Sequence, residues 1–329
     1  MKIAVVILNW NGKKLLETFL PSVVSFSKEA EIFLVDNASK DDSVGFVKAS
    51  FPDIKIIQHQ KNYGFAEGYN RGLQVIDAEV FCLLNSDVEV TENWLKPIIT
   101  CFEQEPKTAI IQPKLLDYKN KEYFEYAGAA GGYIDKFGYP YCRGRIFNTI
   151  EKDHGQFNDE AAIFWASGAA FFIRSDVYRS LGGLDASFFA HMEEIDLCWR
   201  AFNQGFETKY IGKSTVYHLG GATLKNTDAR KVFLNFRNSL YTLTKNAHGF
   251  LPFLILVRLV LDGFAGMKFI FEGKPKFMLA VVKAHFGYYR HFFTFYNQRR
   301  CLDKKKKYFQ ITSIVIQYFV NKNKYFKSL

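Results

Sequence analysis

Two short acidic stretches, far apart in the chain, hold the side chains best suited to chemistry. The first is Asn85-Ser86-Asp87, which ends the wholly apolar run Val80-Phe81-Cys82-Leu83-Leu84. Such a run reads as a strand buried on both faces, with its polar tip at the carboxyl edge of a sheet. In open α/β sheets that edge is where ligands bind. A carboxylate there, between an amide and a hydroxyl, suits a hard divalent cation that shares its oxygen ligands with phosphates. The plainer alternative is that Asp87 caps a helix over 92–102. The second stretch is Glu193-Glu194-Ile195-Asp196. Carboxylates crowded in this way are unfavourable unless something positive or protic lies nearby. On a helix Glu193 and Asp196 share a face and Glu194 projects about 100° away. One acid can then face a substrate as general base while Asp196 pairs with Arg200 at i+4. The alternative is an acidic first turn that merely suits the helix dipole. His218, beside Gly220-Gly221, is either structural or a ligand for metal or diphosphate.

The elements that must position these groups follow an α/β rhythm. Apolar strands over 3–8, 31–35, 54–58, 80–84 and 108–112 alternate with amphipathic helices, the signature of a parallel sheet covered on both faces. Their ends deliver Asn9, Asp36-Asn37 and Asn85 to one edge. Neither G-x-G-x-x-G nor G-x-x-x-x-G-K-[ST] follows a strand, so phosphate must be held by a metal and side chains. Residues 113–165 are rich in Gly and Tyr and read as a functional loop region over the donor or acceptor. A second strand pair, near 165–173 and 208–211, leads to a helix over 228–246 carrying Arg230, Arg237 and Asn238. Together with Lys225, these could neutralise a leaving diphosphate, or simply be solvated or paired.

At 329 residues, with 17 % aromatic content, the chain can bury a large core. Five scattered cysteines (82, 101, 142, 198, 301) and no C-x-x-C favour reduced thiols in the cytosol. The first apolar run is too short for a secretory core, which keeps the catalytic part inside the cell. The net charge of +10 is unevenly placed: from Lys268 onward 14 Lys/Arg face 2 Asp/Glu, whereas the rest has 29 against 31.

The ordered set Val5-Val6-Ile7-Leu8-Asn9-Trp10-Asn11-Gly12, Val35-Asp36-Asn37-Ala38-Ser39, Asn62-Tyr63-Gly64-Phe65-Ala66 with Asn70-Arg71-Gly72, and Leu84-Asn85-Ser86-Asp87 resembles the family 2 glycosyltransferases, in their rhamnosyltransferase-like branch. The resemblance covers roughly residues 1–245. It implies a GT-A fold and inverting, metal-dependent transfer from a UDP-, dTDP- or GDP-linked sugar to a glycan or lipid-linked glycan, in cell-surface polysaccharide synthesis. It also implies that Asp36 and Asn9 line the nucleoside pocket. Asn70 and Arg71 would lie near the base and diphosphate. Asn85 and Asp87 would form the Asp-x-Asp motif, with Asn in its first place, and Asp87, with His218, would hold Mg²⁺ or Mn²⁺. Glu194 takes the position of the general base, with Glu193 as runner-up. Taken bare, Asp36 could equally close its own turn and Arg71 could be a solvated helix residue. The rivals are a sugar nucleotidyltransferase, which would show a Gly-rich stretch after the first strand, and a non-catalytic membrane-tethered binding protein, which needs no base.

The expected organisation is a catalytic domain over 1–247, divided near 112 into donor and acceptor halves, and a basic tail over 248–329. In 250–271 the charges Arg258, Asp262, Lys268 and Glu272 fall on about half the helical wheel, which predicts an amphipathic helix lying in an interface and not a spanning one. Lys276, Lys283 and Arg290 then recur every seven residues among aromatics, ahead of Arg299-Arg300 and Lys304–Lys307. Basic stripes beside apolar faces suit the anionic inner face of a cell membrane. Long apolar faces argue against nucleic acid as the partner, and packing on the catalytic domain is the remaining alternative.

Overall fold

A computed structural model of the chain describes residues 1–220, 228–300 and 303–329. The first half runs β1 (Ile3–Asn9), α1 (Lys13–Phe26), β2 (Ala30–Asp36), α2 (Ser43–Ser50), β3 (Lys55–Gln58), α3 (Phe65–Gln74), β4 (Val80–Asn85), β5 (Val88–Val90), α4 (Leu95–Gln104) and β6 (Thr108–Asp117). There follow β7 (Gly132–Ile134), β8 (Pro140–Cys142), β9 (Arg145–Ile146), β10 (Thr149–Ile150), β11 (Glu160–Ile163), β12 (Ala170–Arg174), α5 (Ser175–Ser180), α6 (Glu193–Gln204) and β13 (Glu207–His218). Three long helices close the chain: α7 (Ala229–Asn246), α8 (Leu251–Phe271) and α9 (Pro275–Arg300).

The central sheet has the order β11-β13-β6-β12-β4-β1-β2-β3, with β5 added to β13. Parallel pairing of β4, β1, β2 and β3 sets Asn9 level with Asp36 and Leu8 level with Asn85, so the polar tips share one edge. The sheet is buried on both faces. One layer of apolar side chains lies beneath α1, α2 and α4. The other joins the sheet to α3, α6, α7 and α8. This is the mostly parallel α/β architecture expected. The strand expected at 108–112 runs on to Asp117, and the one expected at 208–211 becomes the twelve-residue β13, with His218 as its last residue. The stretch 113–165 holds a small antiparallel sheet, β10-β9-β8-β7, built from strands of two or three residues.

Arg258 and Asp262 do not face water. They lie inside, with Arg258 Nε donating to Asp262 Oδ1 at 2.9 Å. Tyr139 Oη donates to the same oxygen at 2.5 Å, and Arg258 Nη2 donates to Ser239 Oγ at 2.6 Å. The Arg258 guanidinium also stacks on the Tyr139 ring at 3.7 Å. A paired and hydrogen-bonded charge set can be buried where a lone charge cannot, and it turns the apolar side of α8 outward. Residues 303–329 carry short helical turns at Ile316–Val320 and Phe326–Ser328 and fold back over the small sheet. Ile314 N donates to Asp135 Oδ2 at 2.9 Å, and the Phe326 ring packs 5.3 Å from that of Tyr133.

Candidate active site

The sheet edge that carries the polar tips is held by amides. Asn9 Nδ2 donates to Asp36 Oδ1 at 3.0 Å and to Ser43 Oγ at 2.9 Å, while Ser39 N donates to Asp36 Oδ2 at 3.1 Å. Asp36 thus closes the turn after β2 with both oxygens engaged, and Asn9 Oδ1 remains buried without a hydrogen-bond partner. Gly12 is required beside it, since a Cβ there would sit 2.4 Å from that oxygen. Asn70 and Arg71, expected near the base and diphosphate, both have protein partners. Asn70 is bonded to α5 and to the loop before α6: its Nδ2 donates to Leu184 O at 2.7 Å, and its Oδ1 accepts from Leu184 N at 3.0 Å and Tyr178 Oη at 2.5 Å. Arg71 pairs with Glu67 at 2.6 Å and stacks on Tyr63 at 4.1 Å.

The tip of β4 meets the end of β13. After Asn85 the chain turns through Ser86-Asp87 into β5, which pairs antiparallel with β13 and sets Val88 opposite His218. Leu219 N donates to Asp87 O at 3.0 Å and locks the turn. His218 Nε2 then lies 3.2 Å from Asp87 Oδ1 and 3.5 Å from Asn85 Nδ2, and its Nδ1 lies 3.4 Å from Glu125 Oε1. Burial alone would lower the His218 pKa, but Glu125 and Asp87 outweigh it and push it up to about 10. Two donors bound side by side to one small cation at about 2.1 Å lie roughly 3 Å apart. The Asp87–His218 pair therefore fits a divalent ion that replaces the imidazolium proton, with Glu125 orienting the ring from behind. No group of three His, Cys, Asp or Glu side chains forms a full cage among the described residues. The remaining ligands would come from phosphate and water, as hard cations prefer.

The second centre is the start of α6. Phe189, His191 and Met192 all have positive φ (67°, 68° and 75°), an unfavourable left-handed backbone for such residues. Asn238, fully buried on α7, holds this segment: its Nδ2 lies 2.8–2.9 Å from the carbonyls of Phe188, Ala190 and His191. The acids that follow are treated differently. Asp196 accepts from Arg200 Nε at 2.8 Å, Lys245 Nζ at 2.9 Å and Asn246 Nδ2 at 2.7 Å, so it is structural. Glu193 and Glu194 each keep one buried carboxyl oxygen with no partner. Burial, with the neighbouring Glu194 charge, holds Glu193 well above the carboxylate range. Burial pushes Glu194 up to about 7, against the pull of the helix amides. Its carboxyl is thus poised near neutrality, and no ion pair joins it to a cation among the described residues.

Contacts link the two centres. Asn85 N donates to Ala169 O at 3.0 Å, and Ala166 N in the same segment donates to Cys198 Sγ at 3.4 Å, one helical turn beyond Glu194. Burial lowers the pKa of Lys231, on the first turn of α7, against the pull of Glu125, and burial together with the Lys231 charge holds His191 down to about 4. A cavity of about 460 Å³ lined by Leu181–Ala186, Arg200 and Lys245 includes none of the crevice residues, and both its cations are bound to Asp196. Gly221 and Lys225 lie outside the described residues, as does Cys301; the other four cysteines are buried free thiols. Sequence reasoning missed Glu125. Its one signal is an acid between two aromatics, Phe124 and Tyr126, in a segment without periodicity.

Residues 4–182 match the profile of glycosyl transferase family 2. The chain belongs to this family. Among curated relatives, the low-salt glycan biosynthesis hexosyltransferase Agl10 of Haloferax volcanii is 24 % identical over 245 residues, 72 % of this chain and 73 % of that one. The N-acetylglucosaminyl-diphospho-decaprenol L-rhamnosyltransferase of Mycobacterium tuberculosis is 22 % identical over 62 % of this chain and 71 % of its own. Among solved structures, GalNAc-T7 with UDP, GalNAc and Mn²⁺ superposes with a TM-score of 0.58 at 17 % identity, over 75 % of this chain. The chain spans about half (48 %) of that structure's length. The protein is a glycosyltransferase of GT-A fold.

Proposed function

We propose that the crevice carries out one-step, inverting transfer of a hexosyl or deoxyhexosyl group from a UDP-, dTDP- or GDP-linked donor to a hydroxyl of a glycan or lipid-linked glycan. The observation that carries this reading is Glu194, a desolvated carboxyl near neutral pKa with no ion-pair partner among the described residues, on the helix that packs against the segment beside Asn85. Glu194 accepts the proton of the acceptor hydroxyl as its oxygen bonds to the anomeric carbon and the bond from that carbon to the diphosphate breaks. Glu193, protonated beside it, keeps the pair from carrying two charges. Asp36 and Asn9 support the nucleoside edge, the orphaned Asn9 oxygen offering an acceptor to a base or ribose donor. Asn85 stands beside the diphosphate. Asp87 and His218 would hold Mg²⁺ or Mn²⁺, which neutralises charge on the departing diphosphate when bound. The catalytic part, residues 1–247, works at the inner face of the cell membrane in the synthesis of a surface polysaccharide.

The test is release of nucleoside diphosphate from a panel of nucleotide-sugars, with Mn²⁺ or with EDTA, with and without acceptor hydroxyls. Donor turnover that requires Mn²⁺ and is lost in Asp87→Ala supports the reading. Turnover in EDTA equal to that in Mn²⁺ contradicts the metal role, and retention of anomeric configuration in the product contradicts inversion.

A further inference from the structure

The outer faces of α8 and α9 are apolar and uncovered. On α8 the exposed residues Phe253, Leu256, Val260, Phe264, Met267 and Phe271 recur at three- and four-residue spacing, on the side opposite Arg258 and Asp262. On α9 the exposed residues Leu279, Phe286, Tyr289, Phe293 and Tyr296 form a matching stripe, with Phe286 and Phe293 at 73 % and 75 % exposure. Aromatic side chains this open, in continuous helical stripes, go beyond the scattered surface apolars of a soluble protein. Lys276, Lys283 and Arg290 lie about 60° around the helix from Leu279, Phe286 and Phe293, so a row of cations borders the apolar stripe. None of the three has an ion-pair partner among the described residues, and α9 contains no Asp or Glu.

We infer that the α8–α9 hairpin is a membrane-docking surface, which lies flat in one leaflet with its apolar stripes in the acyl boundary and its cation row on anionic headgroups. Three observations select this occupant. No helix among the described residues is long and apolar enough to cross a membrane. Arg258 and Asp262, mid-way along α8, are fastened to Tyr139 and Ser239 of the body, so the helix cannot leave it to insert end-on. Finally, a second copy of the chain would bring the same cation row to the interface with only Glu272, already engaged by Lys268 and Lys274, to answer it. A leaflet of anionic lipid satisfies both the apolar stripes and the cations. The inference gives a physical place to the membrane contact in the proposed function, and it stands or falls without reference to the sugar chemistry.

The experiment is flotation of the full chain, without donor or acceptor, on vesicles of phosphatidylcholine alone or with about one-third phosphatidylglycerol. The chain should float with the anionic vesicles. Leu256→Asp with Phe264→Asp, or Phe286→Asp with Phe293→Asp, should lower partitioning at least tenfold on both vesicle types while donor hydrolysis in detergent is unchanged. Lys283→Glu with Arg290→Glu should lower partitioning on anionic vesicles only, by roughly fivefold or more for each cation. Circular dichroism and hydrolysis verify that each variant is folded. No flotation of the full chain, or flotation unaffected by the folded apolar-face variants, overturns the inference. So does a lipid-free dimer, seen by light scattering, that the same variants dissociate. Loss of donor hydrolysis with flotation intact would fault the glycosyl-transfer reading and leave this one standing.

Discussion

Asp262 in α8 and Glu194 at the start of α6 are both acids removed from water, yet their surroundings are opposite. Asp262 meets Arg258, the Tyr139 hydroxyl and His285, whose Nε2 lies 3.3 Å from Oδ2. Glu194 meets another acid, Glu193, and keeps a buried oxygen without a hydrogen-bond partner. The same contrast recurs within a single helix, since Asp196, two residues after Glu194, is bound by Arg200, Lys245 and Asn246. A folded chain can satisfy a buried carboxylate when the group serves structure. Where it leaves one unsatisfied next to a substrate crevice, the destabilised charge is available to take a proton. The backbone agrees with this division: the positive-φ residues Phe189, His191 and Met192 cluster before the unpaired acids, held by Asn238, and none occurs within α8.

The contrast can be broken from either side. Glu194→Gln should reduce sugar transfer by roughly 10³-fold, with donor affinity within twofold of wild type by calorimetry; a fall in donor affinity as large as the fall in rate would remove the distinction between the two kinds of acid. Arg258→Met should leave transfer per folded molecule unchanged and destabilise the chain by about 3–5 kcal/mol in urea unfolding, because Asp262 is left buried without its cation. Glu125→Gln sharpens the metal side of the crevice. By loosening the His218 ring it should weaken Mn²⁺ binding, followed by electron paramagnetic resonance, by about 10–100-fold. Arg71→Ala is the smallest change. Its exposed pair with Glu67 contributes about 0.5 kcal/mol or less, and transfer kinetics should stay within twofold.

Much of the parallel part of the sheet was legible in the residues, because Val80–Leu84 and Ile3–Leu8 are unbroken apolar runs whose polar ends must collect at one sheet edge. The pairing of Asp196 with Arg200 was legible too, being local along one helix turn. What escaped depends on partners remote in sequence. β5 and β7 to β10 are two or three residues long, too short for periodicity, and exist only through tertiary pairing. Glu125 acquires meaning only when β13 brings His218 beside it. The outward turn of the apolar side of α8 rests on Tyr139 and Ser239 receiving Arg258 and Asp262, which no helical wheel can reveal. Asn70 is a further case: its place in the motif implies a ligand contact, and its bonds to Leu184, 114 residues away, could not be read from the sequence.

The most direct test is the pH dependence of transfer at saturating donor and acceptor. A base whose pKa lies near 7 must be unprotonated to work, so the rate should fall tenfold per unit on the acid side of a midpoint near 7 and level off above it. In Glu194→Gln the residual rate should lose that limb. An acid limb that persists unchanged in Glu194→Gln would show that another group accepts the acceptor's proton.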